Sequence, residues 1–178
     1  MKGIIFTEFF ELVESKWGLD MVDELIDSCE LESGGAYTAV GTYDHGEIVQ
    51  LVQALSQKSE VPIPGLLQAF GEFLFGKFVV SYPQFFEGQT SALDFLEHVE
   101  DYIHVEVKKL YPDAMLPQFD TERPTPDHLV MIYSSVRHLH DVAHGLIHGC
   151  VRHFEENCEV SMSEPAEDDS VRFTIVRS

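Results

Sequence analysis

The chain has 178 residues, 44% of them apolar, enough for one good-sized domain with its own core. Its 11 Lys and Arg against 31 Asp and Glu leave a formal charge of −20, which repels phosphates and argues against DNA, RNA and anionic membranes as partners. The cysteines, Cys29, Cys150 and Cys158, form no CxxC pair, and their odd number of 3 fits no disulfide framework.

In chain order, the opening MKGIIFTEFFELVES is interrupted by Glu8 and Glu11, so it reads neither as a signal peptide nor as a membrane span, and a cytoplasmic protein is expected. Residues 3–17 are expected to form an amphipathic helix with Ile4, Ile5, Phe9, Leu12 and Val13 on its apolar side. A second helix covers Leu19–Cys29, a glycine-containing loop Glu32–Gly41, and a third helix residues 45–57. Pro64 suits the first turn of a fourth helix, about Gly65–Phe75, which leads into an aromatic connection with Phe78, Tyr82, Phe85 and Phe86.

Phe95–Tyr111 reads as one helix with Leu96, Val99, Ile103, Val107 and Leu110 on one face and His104 on its shoulder. The pattern then changes. Leu116–Glu122 and His128–Arg137 read as strands joined by the turn residues TERPTPD. A helix with Leu139, Val142, Ala143, Leu146, Ile147, Cys150 and Phe154 on its apolar side comes next. Two more strands, Cys158–Met162 and Val171–Val176, flank an acidic loop at 163–169. The class is α+β: a helical N-terminal part, then a C-terminal part with an antiparallel sheet of about four strands and helices. It is expected to form one domain over residues 1–178, with a boundary near 64/65.

Tyr133, Ser135 and Arg137 alternate, so on a strand they share one face. A phenol, a hydroxyl and a guanidinium together make a cradle for carboxylates. Taken alone, such a row is more often a solvated strand face. Taken alone, His104 is more often a half-buried histidine bonded to a neighbour. Together they suit a ligand with a metal centre and two acidic arms. Haem is one, because its iron accepts an axial histidine and its propionates need donors.

On these residues the sequence resembles the H-NOX family, the haem nitric oxide/oxygen-binding domains, and is similar to the haem domain of soluble guanylate cyclase. The resemblance rests on Tyr133-x-Ser135-x-Arg137, on His104 within YIHVEVKKLYPDAMLP, and on the opening MKGIIF and the stretch FGEFLF; it covers essentially the whole chain. It implies haem b buried between the two parts of the chain. It also implies His104 as the proximal iron ligand, Pro117 against the porphyrin, and Tyr133, Ser135 and Arg137 on the propionates. Ile5, Phe9, Leu74, Phe78, Val142 and Leu146 would face the distal side, with Val142 where oxygen-binding relatives carry a tyrosine.

None of those distal residues offers a side-chain donor, so the resemblance implies a sensor of NO and CO that excludes O2. NO would weaken the His104–iron bond, and the resulting shift would regulate a separate protein, a histidine kinase (two-component signalling) or a cyclic-di-GMP enzyme such as a diguanylate cyclase or phosphodiesterase. No catalytic role is expected for the chain itself. Two other readings stay open. His140, His144 and His148 at i, i+4 and i+8 could ligate zinc in a metal-dependent enzyme, although a solvated face is the plainer reading. A cofactor-free interaction module is the other.

Overall fold

The computed structural model describes residues 1–178, with seven α-helices and four β-strands. The α+β class expected from the sequence holds. The chain divides into two compact units, Met1–Phe70 and Gly71–Ser178, and the boundary falls inside a helix.

The first unit is helical. Helices α1 (Gly3–Trp17), α2 (Leu19–Ser28) and α3 (His45–Ser59) match the apolar periodicity closely. Their buried faces carry Phe6, Phe9, Leu12, Val13, Val22, Leu25, Ile48, Leu51, Val52 and Leu55. Asp44 caps α3 by accepting a hydrogen bond from the Gly46 amide at 2.6 Å. Glu47 is buried, yet satisfied: its carboxylate accepts from the Ser33 amide at 3.2 Å, from the Ser33 hydroxyl, and from the Tyr37 hydroxyl at 2.6 Å. Those bonds offset the cost of removing the carboxylate from water, and they fix the loop before α3. The first turns of α4 (Ile63–Ser81) complete this unit, with Phe70 meeting Phe9 edge-on at 5.5 Å.

Helix α4 is longer than the sequence pattern suggests. It runs through Phe78 to Ser81, so part of the expected aromatic connection is helical. By length and composition it could cross a membrane, a test that core helices of soluble proteins also pass.

The second unit holds the sheet, in strand order β1-β2-β4-β3, all neighbours antiparallel. Strand β1 (Gln118–Thr125) extends into the residues read as a turn. Pro124 is tolerated there because β1 is an edge strand and its register shifts between Glu122 and Thr125. Strand β2 (His128–Ser134) stops before Ser135. Strands β3 (Cys158–Met162) and β4 (Val171–Arg177) close the sheet. Helix α7 (His140–His153) packs its Ala143, Ile147 and Cys150 into one core with Leu129, Met131, Tyr133, Phe173 and Ile175.

Helices α4 and α7 approach closely at Gly71. A Cβ there would lie 2.2 Å from the Val142 carbonyl oxygen and 2.8 Å from the Leu146 nitrogen. Only hydrogen fits, so Gly71 sets the distance between the two backbones.

Candidate functional site

The expected single helix around His104 is three pieces. Helix α5 (Ala92–Glu97) leads into a π-helical turn, Val99–Ile103, and then into α6 (His104–Leu110). The Ile103 amide reaches back five residues to the His98 carbonyl at 3.4 Å. An extra residue in the turn rotates helix α6 about its axis relative to α5. The consequence is visible in burial. Leu110, expected on the apolar face, is 53% exposed, whereas His104, expected on its shoulder, is 9% exposed.

His104 is held on one nitrogen only. Its Nδ1 lies 3.0 Å from Glu100 Oε2, and the same oxygen accepts from the Phe119 amide at 3.1 Å. A carboxylate can only accept, so Nδ1 carries the proton and Nε2 keeps its lone pair. No protein group bonds to Nε2. Burial pushes the imidazole below its ordinary pKa, with Glu100 opposing, which favours the neutral form a metal needs. Neither Glu100 nor Phe119 stood out in the sequence. The four-residue step from Glu100 to His104 was the available signal.

The Tyr133-Ser135-Arg137 row is not one strand face. Tyr133 lies in β2, buried, while Ser135 is just past the strand and Arg137 is in the turn beyond it. The local chemistry of serine explains the early stop: Ser135 Oγ accepts from the Arg137 amide at 3.2 Å, and the Ser135 carbonyl accepts from the His138 amide at 3.3 Å. His138 then adopts φ of 50°, and the chain turns into α7. The Tyr133 hydroxyl accepts from the Leu139 amide at 3.1 Å, just past the turn. Burial pushes the phenol up, keeping it protonated as a donor.

Arg137 gives one donor to the Met115 carbonyl at 2.9 Å, which ties the turn to the loop that leads through Pro117 into β1. No carboxylate of the protein pairs with its fork. A pocket of about 540 Å³ opens beside it, lined by Leu116, Gln118, Ser134, Ser135, Arg137 and Asp168 among others, though by neither His104 nor Tyr133. What links the two groups is Phe119: its ring is 5.9 Å from the His104 ring and 5.6 Å from that of Tyr133.

Pro117 is half-buried. Leu74 on α4 is buried, while Phe78, Val142 and Leu146 are half-buried. Val142 and Leu146 belong to the stretch of α7 that Gly71 abuts. In the first unit, Phe9 is buried and Ile5 half-buried.

The histidine row on α7 departs from the solvated face expected of it. His144 and His148 are half-buried, their Nε2 atoms 3.2 Å apart, and the His144 ring lies 5.9 Å from that of Phe173. His140 lies instead 3.9 Å from Asp141. No group of three or more His, Cys, Asp or Glu side chains could hold a metal, so the zinc reading lacks its third ligand.

Comparison with known proteins agrees with the fold and with the resemblance. The haem-NO-binding family model matches residues 2–162. The structure of the Fe(II) unliganded H-NOX protein from K. algicida is 44% identical, with a TM-score of 0.94, and the match covers 100% of this chain and 97% of that one. The solution structure of the H-NOX from Shewanella woodyi in its Fe(II)CO state is 38% identical, with a TM-score of 0.86, over 100% and 95%. An H-NOX protein from S. oneidensis in its Fe(II)NO state is 27% identical, with a TM-score of 0.92, over 100% and 99%. No curated protein matches. A family match across nine-tenths of the chain, together with the shared fold, leaves one conclusion: the chain belongs to the haem-NO-binding, or H-NOX, family of haem-based gas sensors.

Proposed function

We propose that this chain is a sensor of NO and CO that holds haem b on His104 and signals to a separate protein. The observation that carries the reading is the state of His104: a buried imidazole with Nδ1 occupied by Glu100 and Nε2 left without a protein partner. That is the arrangement of a metal-ligating histidine, whose second nitrogen is almost always fixed by a carboxylate or carbonyl. The donor set beyond it suits the rest of the group. Arg137, with no carboxylate of the protein on its fork, and the Ser135 and Tyr133 hydroxyls supply donors for propionates. Pro117 and the aliphatic and aromatic side chains offer surfaces for a flat apolar ring.

Held by His104, bound haem would supply ferrous-iron chemistry: affinity for a diatomic gas and, with NO, a weaker bond to the imidazole. The rest falls to the protein. Leu74, Phe78, Val142 and Leu146 present no hydrogen-bond donor, and neither do Ile5 and Phe9. O2 needs such a donor most, because it draws charge onto itself when bound, so these residues select against it. The π-helical turn makes the His104 segment a discontinuous one, joined to the preceding helix by a weaker hydrogen-bond pattern, and such a segment can shift when its anchor is lost. The shift biases a surface read by a histidine kinase or a cyclic-di-GMP enzyme in the cytoplasm, and the chain performs no catalysis itself.

An absorption spectrum of the reduced protein tests this directly. The expected result is a Soret band that moves on adding NO or CO and stays unchanged in air. Protein that remains colourless after expression with ample haem would sink the reading. A stable oxygenated spectrum would sink the gas selectivity alone.

A further inference from the structure

We propose that Glu100 is the positioning residue of the proximal ligand, setting how firmly His104 stays on the metal; the inference rests on the reading of His104 above. Glu100 lies inside the π-helical turn, and His104 is the first residue after it. One carboxylate oxygen serves two donors, His104 Nδ1 at 3.0 Å and the Phe119 amide at 3.1 Å. Both side chains are largely withdrawn from water, with 33% of Glu100 and 11% of His104 exposed, so the contact is weakly screened.

That geometry has three consequences. The ring is locked in the Nδ1–H tautomer, which leaves Nε2 as the ligating atom. Its orientation is fixed by a carboxylate in the turn just ahead of helix α6, four residues back. The negative acceptor also pulls on the Nδ1 proton and makes Nε2 a stronger electron donor, as outer-shell carboxylates do for other metal-bound histidines. The Phe119 amide holds the carboxylate in place from strand β1, so its direction does not depend on the flexible side chain alone.

The test compares the haem-loaded wild type with Glu100→Gln, which keeps an acceptor but loses the charge, and Glu100→Ala, which loses both. The iron–histidine stretch, read by resonance Raman on the ferrous protein, is expected to fall from wild type to Gln to Ala. After NO is added, departure of the histidine is expected to quicken roughly 10–100-fold in the alanine variant and less in the glutamine variant. Ring 15N shifts of His104 in haem-free protein give an independent readout: one tautomer in wild type and Gln, a mixture in Ala. Equal stretches and departure rates in all three proteins overturn the proposal. Should the alanine variant fail to fold, a glutamine variant equal to wild type overturns it. A wild type that takes up no haem refutes the functional reading instead. In that case the tautomer measurement still decides whether Glu100 orients the ring, and an unchanged tautomer in Ala overturns it.

Discussion

His104 is tied to the protein through one nitrogen and is free at the other, and two substitutions probe what that freedom is for. His104→Gly removes the imidazole that the proposed function puts on the metal, while leaving room for free imidazole. Amide exchange over residues 99–111 is expected to rise in this variant with haem bound by added imidazole, then washed free of it, and to match NO-treated wild type. If protection stays at the NO-free level, release of the histidine is not what moves the segment. On α7, Val142→Tyr introduces a donor where the resemblance puts the distal tyrosine of oxygen binders. A neutral hydrogen bond contributes roughly 1 kcal/mol, and more in a dry site, so O2 affinity is expected to rise about five-fold or more. Oxygen titration of the ferrous protein measures it, and no change would place Val142 away from the bound gas.

The elements show where sequence patterns suffice and where they fail. Helices α1, α2, α3 and α7 and strands β3 and β4 were legible because their apolar periods run unbroken between clear stop signals. Helix α4 was cut short at Phe75 because Gly76 and the valines after it weaken helical propensity, yet Phe75 and Leu74 are buried and tertiary packing carries the helix to Ser81. The π-helical turn left no mark in composition, since one inserted residue alters the register and not the residue types. The spacing of Tyr133, Ser135 and Arg137 suggested one strand face, but the turn that breaks it was not legible: Ser135 satisfies the backbone locally where a strand pattern would have continued. Glu100 and Phe119 were hidden because their roles come from the π-turn and from a strand that lies beyond helix α6. Close packing was hidden too, and Gly71 gives it a test. Gly71→Ala gains about 1 kcal/mol of helix propensity but drives a Cβ into the α7 backbone, where overpacking costs roughly 1–3 kcal/mol. A net loss of up to about 2 kcal/mol is expected in urea unfolding, and a more stable variant would mean that α4 and α7 can separate freely. The histidine pair on α7 adds a dependence on pH. Burial, then the charge of His148, lowers the pKa of His144. A folded pKa below the unfolded value of about 6.5 means the unfolded chain takes up more protons, so stability is full above that pH and is lost as pH falls below it. His144→Gln cannot protonate and is expected to flatten the fall of the urea midpoint as pH drops below about 6.5, and an unchanged slope would show that His144 takes no part.

Over the whole molecule the dominant fact is charge, with 31 acidic side chains against 11 basic ones. Two of the arginines act as staples. Arg123 on the edge strand reaches Glu97 at 2.9 Å and Asp94 at 3.1 Å, tying β1 to α5. Arg177 on β4 reaches Asp127 at 2.7 Å and Glu156 at 3.1 Å. Salt acts on these two kinds of interaction in opposite directions. It screens the staples, which contribute little at the surface, and it also screens the repulsion among the many carboxylates that no cation balances. The first effect touches a few pairs at contact distance, where screening is weak. The second touches charges spread over the surface, at separations where raising ionic strength from about 0.01 to 0.15 M cuts the Debye length from roughly 30 to 8 Å. Repulsion should therefore be relieved more than attraction is lost, and Tm is expected to rise across that range in sodium chloride. Arg123→Ala and Arg177→Ala, each deepening the imbalance, should steepen the rise. A Tm that falls with salt would mean that the staples outweigh the repulsion, and the same two variants would then flatten the fall.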